Sequence, residues 1–269
     1  AMTDQRTAII TGASQGIGAE TAREFGRRGY AVTLTARNRE NLDSVADDIR
    51  AAGGKALVLA GDLCDLDFAE SVIDATIKEF DRIDVLVNNA AWRDVVTMRN
   101  ITKESWERTL RIALTTPAFM ARWAAVQMEK QGNGVIINIS STMSERAGGM
   151  SPAYEACKGG LDSLTYELSV LYGPTGIRVV GVNPGAIDTD MSNDYTGEEN
   201  AAEMNSTLCG MTPLRRFGQP VEIARTIAWV ASDEASFITG TCIVADGGIQ
   251  TQLHPSNMQH MTFPAEFDR

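Results

Sequence analysis

The sequence contains few of the residues that most often carry metal binding or acid–base catalysis. Its 269 residues include two histidines and four cysteines. These are His254, His260, Cys64, Cys157, Cys209 and Cys242. A zinc site needs closely spaced thiolate or imidazole ligands, and these residues are scattered, so we expect no metal. Any catalysis in the body of the chain must therefore use other side chains.

Positively charged residues are also few: the chain has 24 Lys and Arg against 35 Asp and Glu, which gives a formal net charge of −11. A surface of this sign repels nucleic acid and anionic membranes, so we expect neither as a partner. No apolar run approaches the roughly 20 residues that span a bilayer, and the N-terminal residues lack the pattern of a signal peptide. We expect a cytoplasmic protein whose thiols stay reduced.

Apolar segments alternate with helix-length segments along the chain. The predicted strands are 7–11, 31–36, 55–61, 84–90, 134–140, 177–184 and 241–248. The predicted helices are 16–28, 39–52, 67–79, 104–130, 153–172 and 220–231. Nearly continuous apolar strands are typical of a parallel sheet that is covered on both faces. The pattern predicts one domain over residues 1–269, an α/β fold with a doubly wound sheet.

Two segments do not fit the alternation. Residues 188–215 form a polar excursion after a strand, and residues 251–269 form a C-terminal tail with two prolines. Long connections in compact domains commonly serve as lids or binding loops. We expect the excursion to close over a substrate, and the sequence does not assign a role to the tail.

A glycine-rich loop follows the first strand. Residues 12–18 read GASQGIG and lead into a helical segment. Glycine lets the backbone turn tightly and approach a ligand, and a helix N-terminus offers free N–H groups to a phosphate. The spacing G-x-x-x-G-x-G differs from both the G-x-G-x-x-G fingerprint and the P-loop. The position after the first strand favours a dinucleotide over a turn that serves geometry alone.

The end of the second strand bears on the choice of coenzyme. An acidic residue there binds the ribose 2′-hydroxyl of NAD, whereas an arginine accepts the 2′-phosphate of NADP. Residues 36–39 read ARNR and contain no acid. Arg37 offers a planar set of donors, which favours NADP(H); the alternative interpretation is a solvated surface arginine. The neutral Gln15 in the glycine loop leaves NAD(H) possible.

Several motifs taken together resemble the short-chain dehydrogenase/reductase family. Tyr154 and Lys158 lie four residues apart, on one face of a predicted helix. Such a pair arises by chance on many helices, but here it occurs with the glycine loop and other family motifs. The matching segments are TGASQGIG at 11–18, GDL at 61–63, NNAA at 88–91, NISS at 138–141, YEACK at 154–158, NPGAIDTDM at 183–191 and FITGTCIVADGG at 237–248. The resemblance covers residues 6–250.

The resemblance implies a Rossmann-type fold with seven parallel strands and nicotinamide-dependent chemistry at an alcohol or carbonyl. It implies that the catalytic residues are Ser141, Tyr154 and Lys158. It implies cofactor contacts from Gly12, Ser14, Gln15, Gly16, Ile17, Gly18, Arg37, Asp62, Leu63, Asn89, Tyr154, Lys158, Pro184, Gly185, Ile187 and Thr189. Members similar in style are 3-oxoacyl-carrier-protein reductases and sugar or polyol dehydrogenases, usually homotetramers that pair through helices such as 104–130 and 153–172.

These residues suggest how a proton could move. A free tyrosine titrates near 10, too high for efficient exchange at neutral pH. We expect the Lys158 ammonium to lower the pKa of Tyr154, so that the phenol exchanges a proton with the substrate oxygen. Ser141 would donate a hydrogen bond to that oxygen as charge develops.

The sequence departs from the family pattern at two positions. Ala113 stands where the family has an asparagine that holds a proton-relay water, and Ala91 replaces the glycine that usually ends NNAG. Turnover could persist through backbone carbonyls and water, or the protein could act mainly by binding the nucleotide. We expect activity, because the three residues that act on the substrate are present.

The substrate pocket is expected from residues near the strand ends. The predicted lining residues are Trp92, Thr142, Met143, Met150, Met191 and Tyr195. Most are apolar, which favours a small carbonyl or alcohol substrate with a hydrophobic part, although plain core packing would look the same. Arg93 and Arg146 could bind an anionic group or be solvated. The functions left open are an NADP(H)-dependent carbonyl reductase, an NAD(H)-dependent sugar, polyol or other secondary-alcohol dehydrogenase, and a non-catalytic nucleotide-binding protein.

Overall fold

Seven strands form one parallel sheet in the order β3-β2-β1-β4-β5-β6-β7. The computed structural model describes residues 5–193, 201–254, 257–263 and 266. The strands are β1 Thr7–Thr11, β2 Ala31–Ala36, β3 Lys55–Ala60, β4 Val85–Asn88, β5 Gly134–Ile139, β6 Ile177–Pro184 and β7 Thr241–Ala245. The order reverses between β1 and β4, and a crevice opens at such a point beyond the carboxyl ends of the strands. The predicted Rossmann-type fold is confirmed.

Helices cover both faces of the sheet. They are α1 Gly16–Arg27, α2 Arg39–Ala51, α3 Leu66–Phe80, α4 Lys103–Leu110, α5 Thr116–Gln131, α6 Pro152–Tyr172, α7 Asp190–Asn193, α8 Ala201–Met211, α9 Pro220–Val230 and α10 Asn257–Thr262. Apolar residues of α1, α2 and α9 pack on one face, and those of α3, α5 and α6 pack on the other. Within β1, Ile10 joins the first core and Ile9 the second, both fully buried. This two-sided burial explains why the strands read as continuous apolar runs.

The predicted helix over residues 104–130 is interrupted in the structure. Residues 111–115 form a π-helical turn between α4 and α5. Pro117 has no N–H, so it cannot donate to the carbonyl of Ala113 four residues earlier, and the regular α-helical ladder is broken there. Ala113 itself is fully buried in the core beneath α5 and α6.

No helix in the described ranges has the length and apolar character needed to cross a membrane.

Candidate active site

A cavity of about 1020 Å³ lies beyond the carboxyl ends of β1, β4, β5 and β6. The predicted catalytic, cofactor-binding and substrate-pocket residues all line it, except Tyr195, which lies outside the described residues. These lining residues are Gly12, Ser14, Gln15, Gly16, Ile17, Gly18, Arg37, Asp62, Leu63, Asn89, Trp92, Ser141, Thr142, Met143, Met150, Tyr154, Lys158, Pro184, Gly185, Ile187, Thr189 and Met191. One continuous space therefore connects the glycine turn with Tyr154.

The glycine turn needs glycine for steric reasons. Gly12 has φ of +65°, and a Cβ there would lie 2.9 Å from the Cα of Ala90. Gly18 lies so close to the turn that a Cβ would come within 2.2 Å of the Gly12 carbonyl oxygen. Asn89 holds this arrangement by donating to the carbonyl oxygen of Thr11 at 2.8 Å. The turn is therefore a rigid cradle with its backbone exposed to the cavity.

The first turn of α1 faces the same cavity. Its N-cap residue, Gln15, makes no side-chain hydrogen bond to the helix. The N-terminal N–H groups of a helix have no partner within the helix, and they favour negative charge. The cradle and the helix start together fit the pyrophosphate of a dinucleotide.

Two arginines follow β2, and they differ in their contacts. Arg39 forms an ion pair with Asp43 at 2.9 Å. Arg37 is exposed, lines the cavity and has no ion-pair partner among the described residues. Asp62, after β3, accepts a hydrogen bond from the Cys64 amide at 2.9 Å, which fixes its carboxylate at the same end of the cavity.

Tyr154, Lys158 and Ser141 meet at the centre of the cavity. α6 begins at Pro152, so Tyr154 lies in its first turn and Lys158 one turn later. The Lys158 Nζ lies 5.2 Å from the centre of the Tyr154 ring and donates to the Ile139 carbonyl oxygen at 2.6 Å. Ser141 follows β5, and its hydroxyl accepts a hydrogen bond from the Met143 amide at 3.1 Å. All three are buried.

Burial dominates the electrostatics of this group. It raises the pKa of the Tyr154 phenol above its ordinary value, and the charge of Arg93 and the hydroxyl of Ser141 oppose that rise. Burial also lowers the pKa of the Lys158 ammonium to about 8. The expectation that Lys158 lowers the tyrosine pKa is wrong for this structure. The ammonium is directed at the Ile139 carbonyl, and the opposing positive charge comes from Arg93.

The loop after β6 closes the far side of the cavity. Gly185 packs so tightly that a Cβ would lie 2.7 Å from the Cα of Asp246. Gly218 anchors the loop, because its amide donates to the carbonyl oxygen of Ala186 and its carbonyl oxygen accepts from the Asp188 amide, each at 2.9 Å. This fixes Ile187 and Thr189 beside the site.

The end of the cavity that is predicted to hold the substrate is lined mainly by apolar side chains. Within the predicted excursion, α7 and α8 contribute Met191, Met204, Leu208 and Met211 to this lining. The sequence reasoning missed the residues after β7, where Gln250, Gln252 and Leu253 also line the space. Gln250 donates to the Thr142 carbonyl oxygen at 3.2 Å. Their position directly after the last strand, at the same sheet edge as the other strand ends, was the available signal.

The two departures from the family pattern lie in different places. Ala113 is in the core and does not line the cavity. Ala91 lines it beside Trp92, whose ring lies 4.9 Å from the guanidinium carbon of Arg108. Arg108 also lines the cavity, and the sequence analysis did not predict it, because the sequence of α4 contains no motif that indicates contact with the site.

Comparison with known proteins places this geometry in a family. A family model described as enoyl-(acyl carrier protein) reductase matches residues 12–250. A cis-4-hydroxycyclohexanecarboxylate dehydrogenase of Sinomonas cyclohexanicum is 36% identical, over 91% of this chain and 96% of that protein. An L-rhamnose 1-dehydrogenase (NAD(P)(+)) of Azotobacter vinelandii is 35% identical, over 92% of this chain and 98% of that protein.

The fold comparison agrees with the sequence comparison. The crystal structure of a variant actinorhodin polyketide ketoreductase with NADPH superimposes with a TM-score of 0.88 and 28% identity. The match covers 93% of this chain and 98% of the ketoreductase. The chain therefore belongs to the short-chain dehydrogenase/reductase family and is an NAD(P)-dependent oxidoreductase.

Proposed function

We propose that this protein interconverts a carbonyl and a secondary alcohol by NADP(H)-dependent hydride transfer, with Tyr154 as the general acid and base. The observation that carries the proposal is the convergence of Tyr154, Lys158 and Ser141 in the cavity that begins at the glycine cradle. A nicotinamide coenzyme, when bound, supplies or accepts the hydride. The cradle, the start of α1 and Arg37 would hold its pyrophosphate and ribose phosphate.

The residues around Tyr154 have distinct roles in the proposal. Tyr154 gives a proton to the substrate oxygen during reduction and takes one during oxidation. The Ser141 hydroxyl donates a hydrogen bond to the same oxygen and stabilises the charge that develops there. Lys158 is anchored by its hydrogen bond to the Ile139 carbonyl oxygen, which keeps its ammonium 5.2 Å from the centre of the Tyr154 ring. Because the three are buried, solvent competes little for these contacts.

Replacing the phenol tests the proposed proton transfer. We expect Tyr154→Phe to lower kcat/KM about 1000-fold, which is within the range of general acid–base catalysis. The coenzyme dissociation constant, measured by fluorescence titration, should change little, because the ring is retained. Turnover at the wild-type rate in the phenylalanine variant would refute the assignment.

The coenzyme preference follows from the contrast between Arg37 and Arg39. We expect the wild-type protein to give a higher kcat/KM with NADPH than with NADH, because Arg37 can contact the 2′-phosphate. Arg37→Ala should reduce the NADPH/NADH ratio about tenfold, whereas Arg39→Ala, which removes an arginine paired with Asp43, should leave it unchanged. A wild-type preference for NADH would favour the alternative NAD(H)-linked alcohol dehydrogenase.

The similarity to a cis-4-hydroxycyclohexanecarboxylate dehydrogenase supports a secondary alcohol as the reacting group. The apolar side chains from α7 and α8 suit a substrate with a hydrophobic ring or chain. A substrate panel that follows nicotinamide absorbance with both coenzymes should therefore begin with cyclic ketones and their alcohols. Absence of turnover across such a panel, with tight coenzyme binding, would instead favour a nucleotide-binding role.

We also propose that the protein is a cytoplasmic homotetramer. The four cysteines are free, which suits a reducing compartment. The outer face of α6 exposes Val170 and Leu171, which are 77% and 58% accessible, and α5 exposes Val126 at 52%. Apolar residues gathered on two neighbouring helices are typical of a subunit interface. Light scattering should give a tetramer, and Val170→Asp should dissociate it, whereas a monomeric wild type would contradict this proposal.

A further inference from the structure

The side of α6 that carries Tyr154 and Lys158 continues with a buried acid. Asp162 lies one turn after Lys158 and two turns after Tyr154, so the three side chains follow one side of the helix. Asp162 is 7% exposed, and within the described ranges it forms no ion pair. Because a carboxylate buried in this way is costly, its hydrogen bonds indicate what it contributes to the site.

Asp162 connects α6 to the end of β6. Its Oδ2 accepts a hydrogen bond from the Nδ2 of Asn183 at 2.9 Å. Asn183 is 1% exposed, and the next two residues of the chain, Pro184 and Gly185, line the cavity. The same Nδ2 donates to the Ser144 Oγ at 3.2 Å. Since an amide nitrogen carries two N–H bonds, one Asn183 side chain joins Asp162 to Ser144.

Ser144 belongs to the short turn that carries Ser141. Its amide donates to the Ser141 carbonyl oxygen at 3.0 Å, and the Ser141 hydroxyl accepts from the Met143 amide within the same turn. The turn also packs on α6, because the Ser144 carbonyl oxygen lies 3.5 Å from where a Cβ of Gly159 would be. A displacement of Ser144 would therefore move the Ser141 hydroxyl relative to Tyr154.

The loop after β6 is held by other contacts. Gly185 packs against Asp246, and Gly218 forms two hydrogen bonds with the loop. None of these contacts involves Asp162, and Asp162 does not line the cavity. Loss of the Asp162 carboxylate should therefore reach the turn at 142–144 more than the residues that are proposed to hold the coenzyme.

We propose that Asp162 is a positioning residue, which holds Ser141 in place through the side chain of Asn183. The inference rests on the proposed function, because it assigns a further residue to the same reaction. A donor that stabilises a developing oxyanion must lie within about 2.7–3.1 Å of that oxygen, so a small shift of Ser141 lowers the rate. Asp162 touches neither substrate nor coenzyme in this proposal.

Kinetics with NADPH and cyclohexanone, a simple cyclic ketone, test the proposal. We expect Asp162→Ala to lower kcat/KM about tenfold and to leave the dissociation constant for NADPH nearly unchanged. Asp162→Asn keeps an acceptor oxygen for Asn183 and should recover most of the loss. This comparison also separates the hydrogen bond from the charge of Asp162, which acts on Lys158. Asp74→Ala, at an exposed aspartate of α3, is the matched control and should change neither quantity.

A second substitution tests whether the effect passes through Ser141. In a Ser141→Ala background, Asp162→Ala should lower kcat/KM by less than about twofold more, because effects of residues that act as a unit do not add. Ser144→Ala removes the other end of the link at a half-buried position, and it should reproduce the loss seen in Asp162→Ala. It provides the comparison if Asp162→Ala does not fold.

Urea denaturation tests the link without turnover. If Asn183 joins Asp162 to Ser144, the effects of Asp162→Ala and Ser144→Ala on the unfolding equilibrium constant should depart from additivity by about threefold or more. Additive effects would overturn the inference, whether or not the protein reduces a ketone.

The outcomes separate the two proposals. An Asp162→Asn variant as slow as Asp162→Ala, or an undiminished loss in the Ser141→Ala background, overturns the positioning role and leaves the hydride chemistry intact. Non-additive unfolding in a protein that reduces no ketone of the panel supports the link and counts against the proposed reaction.

Discussion

The coenzyme end and the substrate end of the cavity are built in different ways. The coenzyme end is mostly backbone, held by buried strand ends, by the close contact of Gly18 with Gly12 and by the hydrogen bonds of Asn89. The substrate end is mostly long side chains, supplied by α7, α8 and the residues after β7. A backbone cradle accepts few changes, whereas methionines can be exchanged and repacked. From this comparison we expect the fold to fix the coenzyme and the side chains to select the substrate.

The largest expected effect follows from breaking the cradle. In Gly18→Ala the new methyl group would meet the Gly12 carbonyl oxygen, so the turn must shift away from the pyrophosphate. We expect the dissociation constant for NADPH to rise about 100-fold, as the loss of one or two well-placed backbone contacts would produce. Gly173→Ala is the control, because no atom lies within 4 Å of its Cβ position. Equal NADPH affinities of the two variants would contradict the backbone account.

A polar residue at position 113 should affect both the stability and the turnover of the protein, and the two effects can be measured separately. Ala113 is fully buried, so Ala113→Asn places an amide in the core and should lower the free energy of unfolding by about 1–3 kcal/mol. Urea denaturation measures this, with the exposed Ala52→Asn as control. We expect coenzyme affinity to stay nearly unchanged while turnover changes. An unchanged turnover would show that the family's relay residue has no role in this chain.

The burial of Lys158 should be visible in the pH dependence of stability. Between about pH 8 and its ordinary value of 10.5, the unfolded chain binds a proton at this lysine that the folded chain does not. Raising the pH in that window therefore favours the folded state. From pH 8 to 9.5, the wild type should gain about 1–2 kcal/mol in free energy of unfolding relative to Lys158→Met.

The exposed Lys78 provides the matched control for this measurement. Lys78→Met should show the same pH dependence as the wild type. A Lys158→Met curve parallel to the wild type would mean that the ammonium is solvated in the folded protein.

The smallest expected effect lies at the substrate end. Met191→Leu nearly conserves volume, so it should cost less than about 1.5 kcal/mol in stability. We expect it to alter KM for a cyclic ketone by a few fold and to leave NADPH affinity unchanged. A change in NADPH affinity as large as the change in KM would remove the distinction between the two ends.

The sequence predicted the parts of the molecule that depend on local chemistry. Continuous apolar strands, the glycine turn and the spacing of Tyr154 and Lys158 gave the fold and a set of residues that share one cavity. Each of these signals is local, because it depends on steric limits or on periodicity within a few residues.

The misses concern contacts between distant segments. The direction of the Lys158 ammonium toward Ile139, and the approach of Arg93 to Tyr154, depend on how β5 and the segment after β4 meet α6. The charge, spacing and hydrophobicity of the sequence do not specify how these segments pack against α6. Likewise, the residues after β7 carry no motif of their own, and the pairing of β7 with β6 at the edge of the sheet brings Gln250 to Thr142.

The π-helical turn at residues 111–115 has a consequence for the length of the chain. A π-helical turn holds one residue more than an α-helical turn, and each residue advances a helix by about 100°. Deleting a single residue here would let the turn become α-helical, which takes up the missing residue and leaves α5 close to its present orientation. Met120 and Ala124 would stay against the sheet, and Arg122 would stay exposed. The turn at 111–115 is therefore a place where the chain can change its length by one residue without turning the buried face of α5 outward.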